Sequence, residues 1–271
     1  MTHQVSSQVY NWCYYLASDG SDFYQQGVVS PRMAKALALA RIRRGMTIVD
    51  VGCGRGDVIY AALKEEVRLI GIDYSQEAMA MSSSLRETLS DAHQRLISLV
   101  LADGAELPLH SRSVGTIFLM DVVEHLYPDQ LRQCLRGCMR VLREGGRVII
   151  HTSPNRWYND FGYPFWERPI NRAINLLFRQ RLLDRPIRSE IDLRCHVNEQ
   201  TITTLRKELQ RCGLRAKVWL GVEYLLPVKK EHRVMQIAEV MRQMVCHVYP
   251  LSLCYPLKAL FSNDIWAIAE K

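Results

Sequence analysis

Residues 48–57 read Ile-Val-Asp-Val-Gly-Cys-Gly-Arg-Gly-Asp, an apolar run that passes into a loop with glycine at every second position. Such an apolar run is typical of a buried strand. Glycine lets the backbone bend sharply and approach a bound group where a Cβ would collide. A helix after this loop offers free N–H groups at its first turn. The stretch therefore predicts a strand, a tight loop and a helix that together could hold a nucleotide-like cofactor.

Acidic residues follow the next three predicted strands. Asp73 closes the second strand, 19 residues after Gly54, and a carboxylate at about that separation accepts hydrogen bonds from ribose hydroxyls. Asp103 follows the third strand, where it could accept a hydrogen bond from an adenine amino group, and Asp121 follows the fourth. The loop spacing is Gly-x-Gly-x-Gly rather than Gly-x-Gly-x-x-Gly, which argues against a pyrophosphate-containing dinucleotide.

These four motifs, in this order, resemble the class I S-adenosylmethionine-dependent methyltransferases, and within them the small-molecule group that includes quinone-biosynthesis enzymes. The resemblance covers residues 46–152 closely and residues 196–270 loosely, through His196-Val197-Asn198-Glu199-Gln200 and the last strand. It implies an α/β fold, a Rossmann-like seven-stranded and mostly parallel sheet with helices on both faces and an antiparallel last strand. It also implies that the cofactor is S-adenosyl-L-methionine.

The resemblance assigns most of the candidate site residues. By this resemblance, the methionine part of the cofactor would be contacted by Asp50, Gly52, Cys53, Gly54 and Gly56. The ribose and adenine would be contacted by Asp73 and Tyr74. Further adenine contacts would come from Asp103, Gly104 and Ala105. Asp121 is also expected to contact the cofactor, and Asp121, His125 and His196 are the catalytic candidates.

Of these three, we expect His125 to be the general base, because an ordinary histidine pKa near 6.5 suits proton removal at neutral pH. A purely structural role stays open for His125, and for His196 a role beside a helix start.

Asp121-x-x-Glu124-His125 also resembles a metal-binding Glu-x-x-Glu-His pattern of some O-methyltransferases, with an acid one methylene shorter at its first position. The same string is common in metal-free relatives, so we expect no metal. Cys134 and Cys138 lie one helical turn apart without a second pair nearby to complete a zinc site. We interpret the eight cysteines as reduced thiols. With no signal-like N-terminus and no long apolar run, the sequence predicts a cytoplasmic protein.

Strand and helix signals alternate through the middle of the chain, which favours a parallel sheet. The predicted strands are Thr47–Val51, Leu69–Ile72, Ile97–Leu101, Val114–Met120, Arg147–Thr152, Leu214–Leu220 and Asp264–Glu270. The predicted helices are Met33–Ala40, about 56–65, 76–91 and 129–142, Asn198–Cys212 and Lys230–Val248. We divide the chain into an N-terminal helical cap, 1–45, and a methyltransferase domain, 46–271, with helical insertions at about 154–197 and 228–262 that form a second part of the cap.

The two insertions contain the residues that indicate which kind of substrate the chain could bind. Residues 157–166 contain six aromatic side chains, among which Trp157, Tyr158 and Trp166 are the candidates for stacking on a planar or apolar acceptor. A small core under a long loop is the alternative interpretation. Residues 168–194 contain seven arginines and three acids. They are typical of a solvated amphipathic helix, while a basic lid over an anionic substrate or a peripheral membrane contact stays open.

Composition bounds the function. The chain has 271 residues, 48% of them hydrophobic, and a formal charge of +7, which excludes disorder, collagen and coiled coil. We expect methyl transfer to the O, N or C atom of a small molecule by a monomer or homodimer. The alternatives are an RNA methyltransferase and a catalytically silent binding scaffold. The basic residues are spread along the chain rather than forming an RNA-binding module, which argues against a nucleic-acid partner.

Overall fold

A computed structural model describes residues 4–17, 27–179, 188, 190–222 and 233–271. Its centre is one seven-stranded sheet in the order β3-β2-β1-β4-β5-β7-β6. The strands are β1 Thr47–Val51, β2 Arg68–Asp73, β3 Ile97–Leu101, β4 Val114–Met120, β5 Leu142–Thr152, β6 Arg215–Gly221 and β7 Asp264–Glu270. β7 runs antiparallel to β5 and β6, and the pairs among β1 to β5 are parallel. The predicted fold class is confirmed.

Helices cover both faces of this sheet. The α-helices are α1 Trp12–Ala17, α2 Pro31–Ala40, α3 Asp57–Ala61, α4 Gln76–Glu87, α5 Asp91–Gln94, α6 Pro128–Val141, α7 Arg168–Leu177, α8 Glu190–Cys195, α9 Ile202–Arg211, α10 Arg233–Val248 and α11 Pro250–Leu253. Short 3-10 turns lie at Ser7–Val9, Leu63–Glu65, Val123–His125 and Leu257–Leu260, and a π-helical segment at Tyr158–Glu167. No described helix is long and apolar enough to cross a bilayer.

Several boundaries differ from the predicted ones, and two of the differences have a clear local reason. β5 begins at Leu142 because Leu142 pairs with Val114, after which the register shifts before Thr116 meets Arg147. α9 begins at Ile202 rather than Asn198 because the Thr201 hydroxyl accepts a hydrogen bond from the Thr204 N–H, 3.1 Å away, and so caps the helix. The predicted start of α10 at Lys230, the first residues of the second insertion (228–232) and residues 180–187 lie outside the described residues.

The N-terminal stretch 1–45 divides between two places. α2 packs in the core of the sheet, where Ala36 and Ala40 join Ile48 and Phe118. Ser30 caps this helix through its hydroxyl, and Pro31 follows, as the sequence predicts. The segment Gln4–Ala17 instead lies over the carboxyl ends of the parallel strands, where Val5 and Tyr10 are buried. The division of the chain at residue 45 stays a prediction.

Candidate active site at the carboxyl edge of the sheet

The glycine loop is tied directly to the neighbouring strand. The Gly52 and Cys53 N–H groups both donate to the Ile72 carbonyl oxygen, at 2.7 and 3.0 Å. Gly54 has a φ of +52°, and a Cβ built there would lie 2.9 Å from the Tyr15 ring. A larger residue at position 54 would therefore be strained and would push the N-terminal segment away from the loop. This is the tight, close-approach loop that the sequence predicts.

Asp73 joins the glycine loop to the turn after β2. Its Oδ2 accepts a hydrogen bond from the Gly54 N–H at 3.0 Å, and its Oδ1 accepts one from the Ser75 N–H at 2.9 Å. Burial raises the pKa of this carboxyl, and the hydrogen bonds from Ser75 and Gly54 oppose that rise. A carboxylate has about four lone-pair positions. Asp73 therefore keeps acceptor capacity for a ligand while it shapes the loop.

Asp50 is a buried carboxylate whose charge is not compensated. Its exposed fraction is 2%, and no hydrogen bond to its side chain is found among the described residues. Burial raises its pKa well above the ordinary range, and the charges of Asp57 and Asp73 add to that effect. A carboxylate out of water is costly unless a cation or a set of donors meets it. The position beneath the glycine loop is therefore prepared for a cationic group.

The segment Gln4–Ala17, called the roof below, covers this edge of the sheet with its tyrosines. The Tyr10 ring lies edge-on against Tyr14 and Tyr74, with centroids 5.1 and 5.8 Å away. The Tyr74 hydroxyl donates to the Val5 carbonyl at 3.1 Å, and Gln4 donates to the Asp103 Oδ2 at 2.9 Å. Asp103 also accepts the Ala105 N–H at 2.8 Å, and Gly104 lies against Val51. The segment Gln4–Ala17 thus closes over the same strand ends that carry the predicted acids.

His125 and His196 meet under this roof, although 70 residues separate them. Their ring centroids are 4.9 Å apart, and Tyr10 lies 5.5 Å from the His125 ring. The His125 Nδ1 is 3.2 Å from the Cys195 carbonyl oxygen, so Nδ1 carries the proton and Nε2 presents its lone pair. Burial lowers the pKa of His125 to about 4, helped by the neighbouring His196. The pKa of His125 thus lies below the ordinary histidine value near 6.5, and the imidazole is neutral at pH 7.

Asp121 is engaged in a polar network that the sequence did not indicate. Its Oδ2 pairs with Arg32, and its Oδ1 lies 2.6 Å from the His151 Nδ1. Burial alone would raise the pKa of Asp121, but Arg32 and His151 lower it strongly. His151 is fully buried, and Asp121 raises the pKa of His151 to about 9 against the effect of burial. Asp121 is consequently a fixed negative charge rather than a proton acceptor.

The pKa of Glu124 is shifted in the opposite direction from that of Asp121. The Thr152 hydroxyl donates to its Oε2 at 2.7 Å, and its side chain is 1% exposed. Burial raises the pKa of Glu124 to about 8, and the charge of Asp121 adds to that effect. Two carboxyl groups three residues apart thus hold different protonation states at neutral pH, one ionised and one protonated.

The Asp121-x-x-Glu124-His125 pattern is not assembled as one set of ligands. Asp121 contacts Arg32 and His151. Glu124 accepts a hydrogen bond from Thr152, and the His125 ring contacts the Cys195 carbonyl oxygen. A different group of metal-capable side chains occurs nearby, because ligand atoms of His125, Cys195 and His196 all lie within 4.8 Å of one another. The absence of a metal stays a prediction.

The aromatic insertion forms a small core of its own. Trp166 stacks on Phe261 at 5.5 Å, and its indole N–H donates to the Leu260 carbonyl at 2.8 Å. Tyr158 is buried in the same cluster and pairs with Glu167, whereas Trp157 is half-buried against the main core. These contacts fasten the first insertion to the second. Acceptor binding by Trp157, Tyr158 and Trp166 stays a prediction.

Comparison with known proteins supports the same assignment. A family model described as "Methyltransferase domain" matches residues 49–150. A probable S-adenosylmethionine-dependent methyltransferase of Mycolicibacterium smegmatis is 32% identical over 166 residues, which are 58% of this chain and 57% of the relative. Residues 49–150 therefore carry a methyltransferase domain, and the chain is similar to an S-adenosylmethionine-dependent methyltransferase over 58% of its length.

Other similarities extend over more of this methyltransferase chain. The tRNA N(3)-methylcytidine methyltransferase trm140 of Schizosaccharomyces pombe is 24% identical over 75% of this chain and 71% of its own length. A solved complex of the Haloferax volcanii Trm112 methyltransferase activator with a methyltransferase has the same fold, with a TM-score of 0.60 at 14% identity, covering 98% of this chain and 99% of that one. The aligned part is little more than half of the mycobacterial relative.

The residues present fit the cofactor of this methyltransferase family. S-adenosylmethionine is a cation, and Asp50 supplies a buried carboxylate without a counter-charge among the described residues. Aromatic faces attract cations, and Tyr15 lies against Gly54 at the same loop. Asp73 keeps acceptor positions for ribose hydroxyls. Asp50, Asp73 and the glycine loop would hold the cofactor, with Asp103 and Tyr74 farther along the edge.

Sequence reasoning missed several residues of this methyltransferase site. They are Arg32 and His151, which contact Asp121, Asp264, whose Oδ1 lies 3.7 Å from the His151 Nε2, and the clustered side chains of Tyr10, Tyr14, Tyr15 and Cys195. One signal was available for His151, because it is a polar residue that directly follows the apolar run Val148–Ile150 of β5. The cluster of tyrosines around residues 10–15 was also visible, but nothing local indicated that it returns to the glycine loop.

Proposed function

We propose that this chain transfers the methyl group of S-adenosylmethionine to a small, apolar or planar metabolite in one in-line step. The observation that carries the proposal is the buried Asp50 carboxylate, which has no hydrogen-bond partner among the described residues and lies just before the glycine loop that Tyr15 contacts at Gly54. This arrangement suits a cationic methyl donor better than a neutral or anionic nucleotide. Asp50, Asp73 and Asp103 are all retained, which argues against a silent scaffold.

The chain's own residues have separable roles in this mechanism. When bound, the cofactor supplies an activated methyl group on a sulfonium. The roof, Gln4–Ala17, excludes water and orients the acceptor, which lowers the barrier by positioning. The unprotonated Nε2 of His125 accepts the proton of an acceptor hydroxyl or amine, while its Nδ1–H stays on the Cys195 carbonyl. Asp121, held ionised by Arg32 and His151, remains a positioning residue.

A second candidate is methylation of RNA, which the similarity to the tRNA methyltransferase of fission yeast favours. RNA binding depends on cationic side chains that contact phosphates. The described side chains around His125 are mainly aromatic and acidic, namely Tyr10, Tyr14, Asp121 and Glu124. This lining suits a small acceptor, and we therefore place the small metabolite first.

The two candidates are separated by their acceptors. Radiolabelled S-adenosylmethionine is incubated with the purified chain and either a small-molecule and lipid extract or total tRNA. We expect label in the organic extract and none above background in the tRNA. Label in tRNA, together with a salt-sensitive mobility shift of that tRNA, would overturn the assignment. Calorimetry with S-adenosylhomocysteine reports cofactor binding independently of the acceptor.

His125→Gln tests the proposed base. We expect cofactor affinity within about three-fold of wild type and turnover lowered by ~10²–10⁴. A base works when it is unprotonated, and the pKa of His125 is lowered to about 4. Wild-type activity should therefore persist well below pH 6.5, until His125 is protonated or the fold is lost. The exposed His110→Gln is the matched control. Turnover of His125→Gln within a few-fold of the control would remove His125 from the mechanism.

A further inference from the structure

The two insertions carry most of the apolar surface that the fold leaves in water. Of the twenty large apolar side chains that are exposed among the described residues, sixteen lie between 154 and 197 or between 228 and 262. Leu176 and Leu177 at the end of α7 are 82% and 76% exposed, and Phe165 just before α7 is 73% exposed. Single exposed apolar side chains need no explanation, but a concentration of them on one part of a protein marks an interaction surface.

These side chains stand on a packed support. Ile174 of α7 is buried with Ala238 of α10, and Ile170 packs against both. Trp166 and Phe261 join the two insertions from below. Because the inward positions are already filled, the outward leucines are not a core awaiting closure within the described chain. The term cap face is used below for the outward side of α7 with its neighbours Phe165 and Phe178.

The charge on the cap face has one sign. Arg168, Arg172 and Arg179 are exposed, and none of them has an ion pair with a described residue. On a helix, Arg168, Arg172 and Leu176 are spaced four residues apart and so lie along one side. Arginine beside exposed leucine and phenylalanine is the composition of helices that lie in the plane of a membrane.

Three described carboxylates of the same insertions are engaged internally. Glu167 accepts from the Tyr158 hydroxyl, and Glu239 pairs with Arg242 at 2.8 Å. Asp160 pairs with Arg188 at 2.8 Å and with Arg156 at 3.2 Å. None of these three acids neutralises the arginines of the cap face. The cap face is therefore complementary to a surface that has an anionic outer layer and an apolar interior.

We propose that the cap face docks this chain on an anionic phospholipid membrane, with Leu176, Leu177 and Phe178 entering the acyl boundary and Arg168, Arg172 and Arg179 contacting the headgroups. A second copy of this chain would present the same positive charges and would repel them, so the lipid surface is the better match. The inference goes beyond the proposed methyl transfer, because it depends on the surface of the insertions and not on the residues of the carboxyl edge.

Vesicle flotation of the full chain tests the proposal. Vesicles contain either phosphatidylcholine alone or equal parts of phosphatidylcholine and phosphatidylglycerol. We expect binding to the anionic vesicles that is weakened by salt, since exposed charges are screened. Each arginine near such a surface contributes about five-fold to binding. Arg168→Gln with Arg172→Gln should therefore lower binding about 25-fold, whereas the control pair Arg95→Gln with Arg136→Gln, exposed on the sheet domain, should change it less than about three-fold.

Leu176→Ser with Leu177→Ser tests the apolar part. Both side chains are exposed, so the variant should keep the circular dichroism and S-adenosylhomocysteine affinity of the wild type while losing vesicle binding at least ten-fold. Equal binding to neutral and anionic vesicles, or binding that the cap variants leave unchanged, overturns the proposal. Absence of vesicle binding also overturns it. If sedimentation then shows a dimer that the serine variant dissociates, the face is a contact between copies.

Discussion

Replacing Asp50 should change two properties in opposite directions, raising the stability of the ligand-free protein and lowering its affinity for the cofactor. Asp50→Asn removes a carboxyl group that the ligand-free fold buries at 2% exposure without a described partner and whose ionised form it disfavours. The asparagine keeps the shape of the side chain and loses the desolvation cost of the charge. We therefore expect the ligand-free variant to be more stable than the wild type and to bind the cationic cofactor less tightly. An ordinary structural carboxylate would lose stability on the same change.

Burial raises the pKa of Asp50 well above the ordinary value. A folded-state pKa above the unfolded one means that the folded chain holds its proton more tightly, so stability falls as pH rises above the ordinary carboxyl range. The desolvation of a buried polar group that lacks a partner costs about 1–3 kcal/mol. We expect Asp50→Asn to raise the free energy of unfolding by about that amount at pH 8 and by less at pH 5.

The binding loss is worked from the interaction that the carboxylate would make. A hydrogen bond to a charged group contributes about 1.5–3 kcal/mol, so affinity should fall about ten- to 150-fold. Calorimetry with S-adenosylmethionine and S-adenosylhomocysteine separates two positions for the charge. A loss shared by both ligands places Asp50 at the amino-acid end of the cofactor, and a loss confined to S-adenosylmethionine places it at the sulfonium.

Asp160→Asn is the control with the opposite stability effect. Asp160 pairs with Arg188 at 2.8 Å and with Arg156 at 3.2 Å. Burial would raise the pKa of Asp160, but the hydrogen bonds from Arg188 and Arg156 lower it, and we expect the variant to lose about 0.5–1.5 kcal/mol. Urea unfolding at two pH values measures both variants. If Asp50→Asn loses stability as Asp160→Asn does, the Asp50 charge is compensated in the ligand-free protein and the proposed cation site at Asp50 is refuted.

Two further predictions concern the surrounding structure. Burial and Asp121 raise the pKa of Glu124 from 4.5 to about 8, so its contribution to stability is present below pH 4.5 and is lost as pH rises toward 8. Glu124→Gln should remove this dependence of stability on pH. At pH 9 the free energy of unfolding of the variant, measured in urea, should exceed that of the wild type by about 2 kcal/mol or more. A wild type that gains stability relative to the variant over that range would contradict this. Trp166→Ala opens the cluster with Phe261 and should cost about 3–5 kcal/mol, with cofactor affinity unchanged by calorimetry; an equal loss of affinity would mean that the insertion also shapes the cofactor site.

The sheet could be predicted from the sequence because its signals are local. Strands β1, β3, β4 and β7 begin and end at the predicted residues, since a run of buried apolar residues bounded by glycine or polar residues identifies a strand without knowledge of its neighbours. The placement of Asp73 and Asp103 follows for the same reason. Parallel strands bring their carboxyl ends to one edge, so acids that directly follow strands meet there.

The tertiary structure alone decided what the site residues can do. His125 and His196 are equally polar in sequence, and only the fold places their rings 4.9 Å apart beneath Tyr10 and lowers the pKa of each by burial. Asp121 and Glu124, three residues apart, receive opposite protonation states because Arg32 and His151 lower the pKa of Asp121, whereas burial and the charge of Asp121 raise the pKa of Glu124. Protonation depends on burial and on charges within a few ångströms, and the charges that lower the pKa of Asp121 come from residues 89 and 30 positions away in sequence.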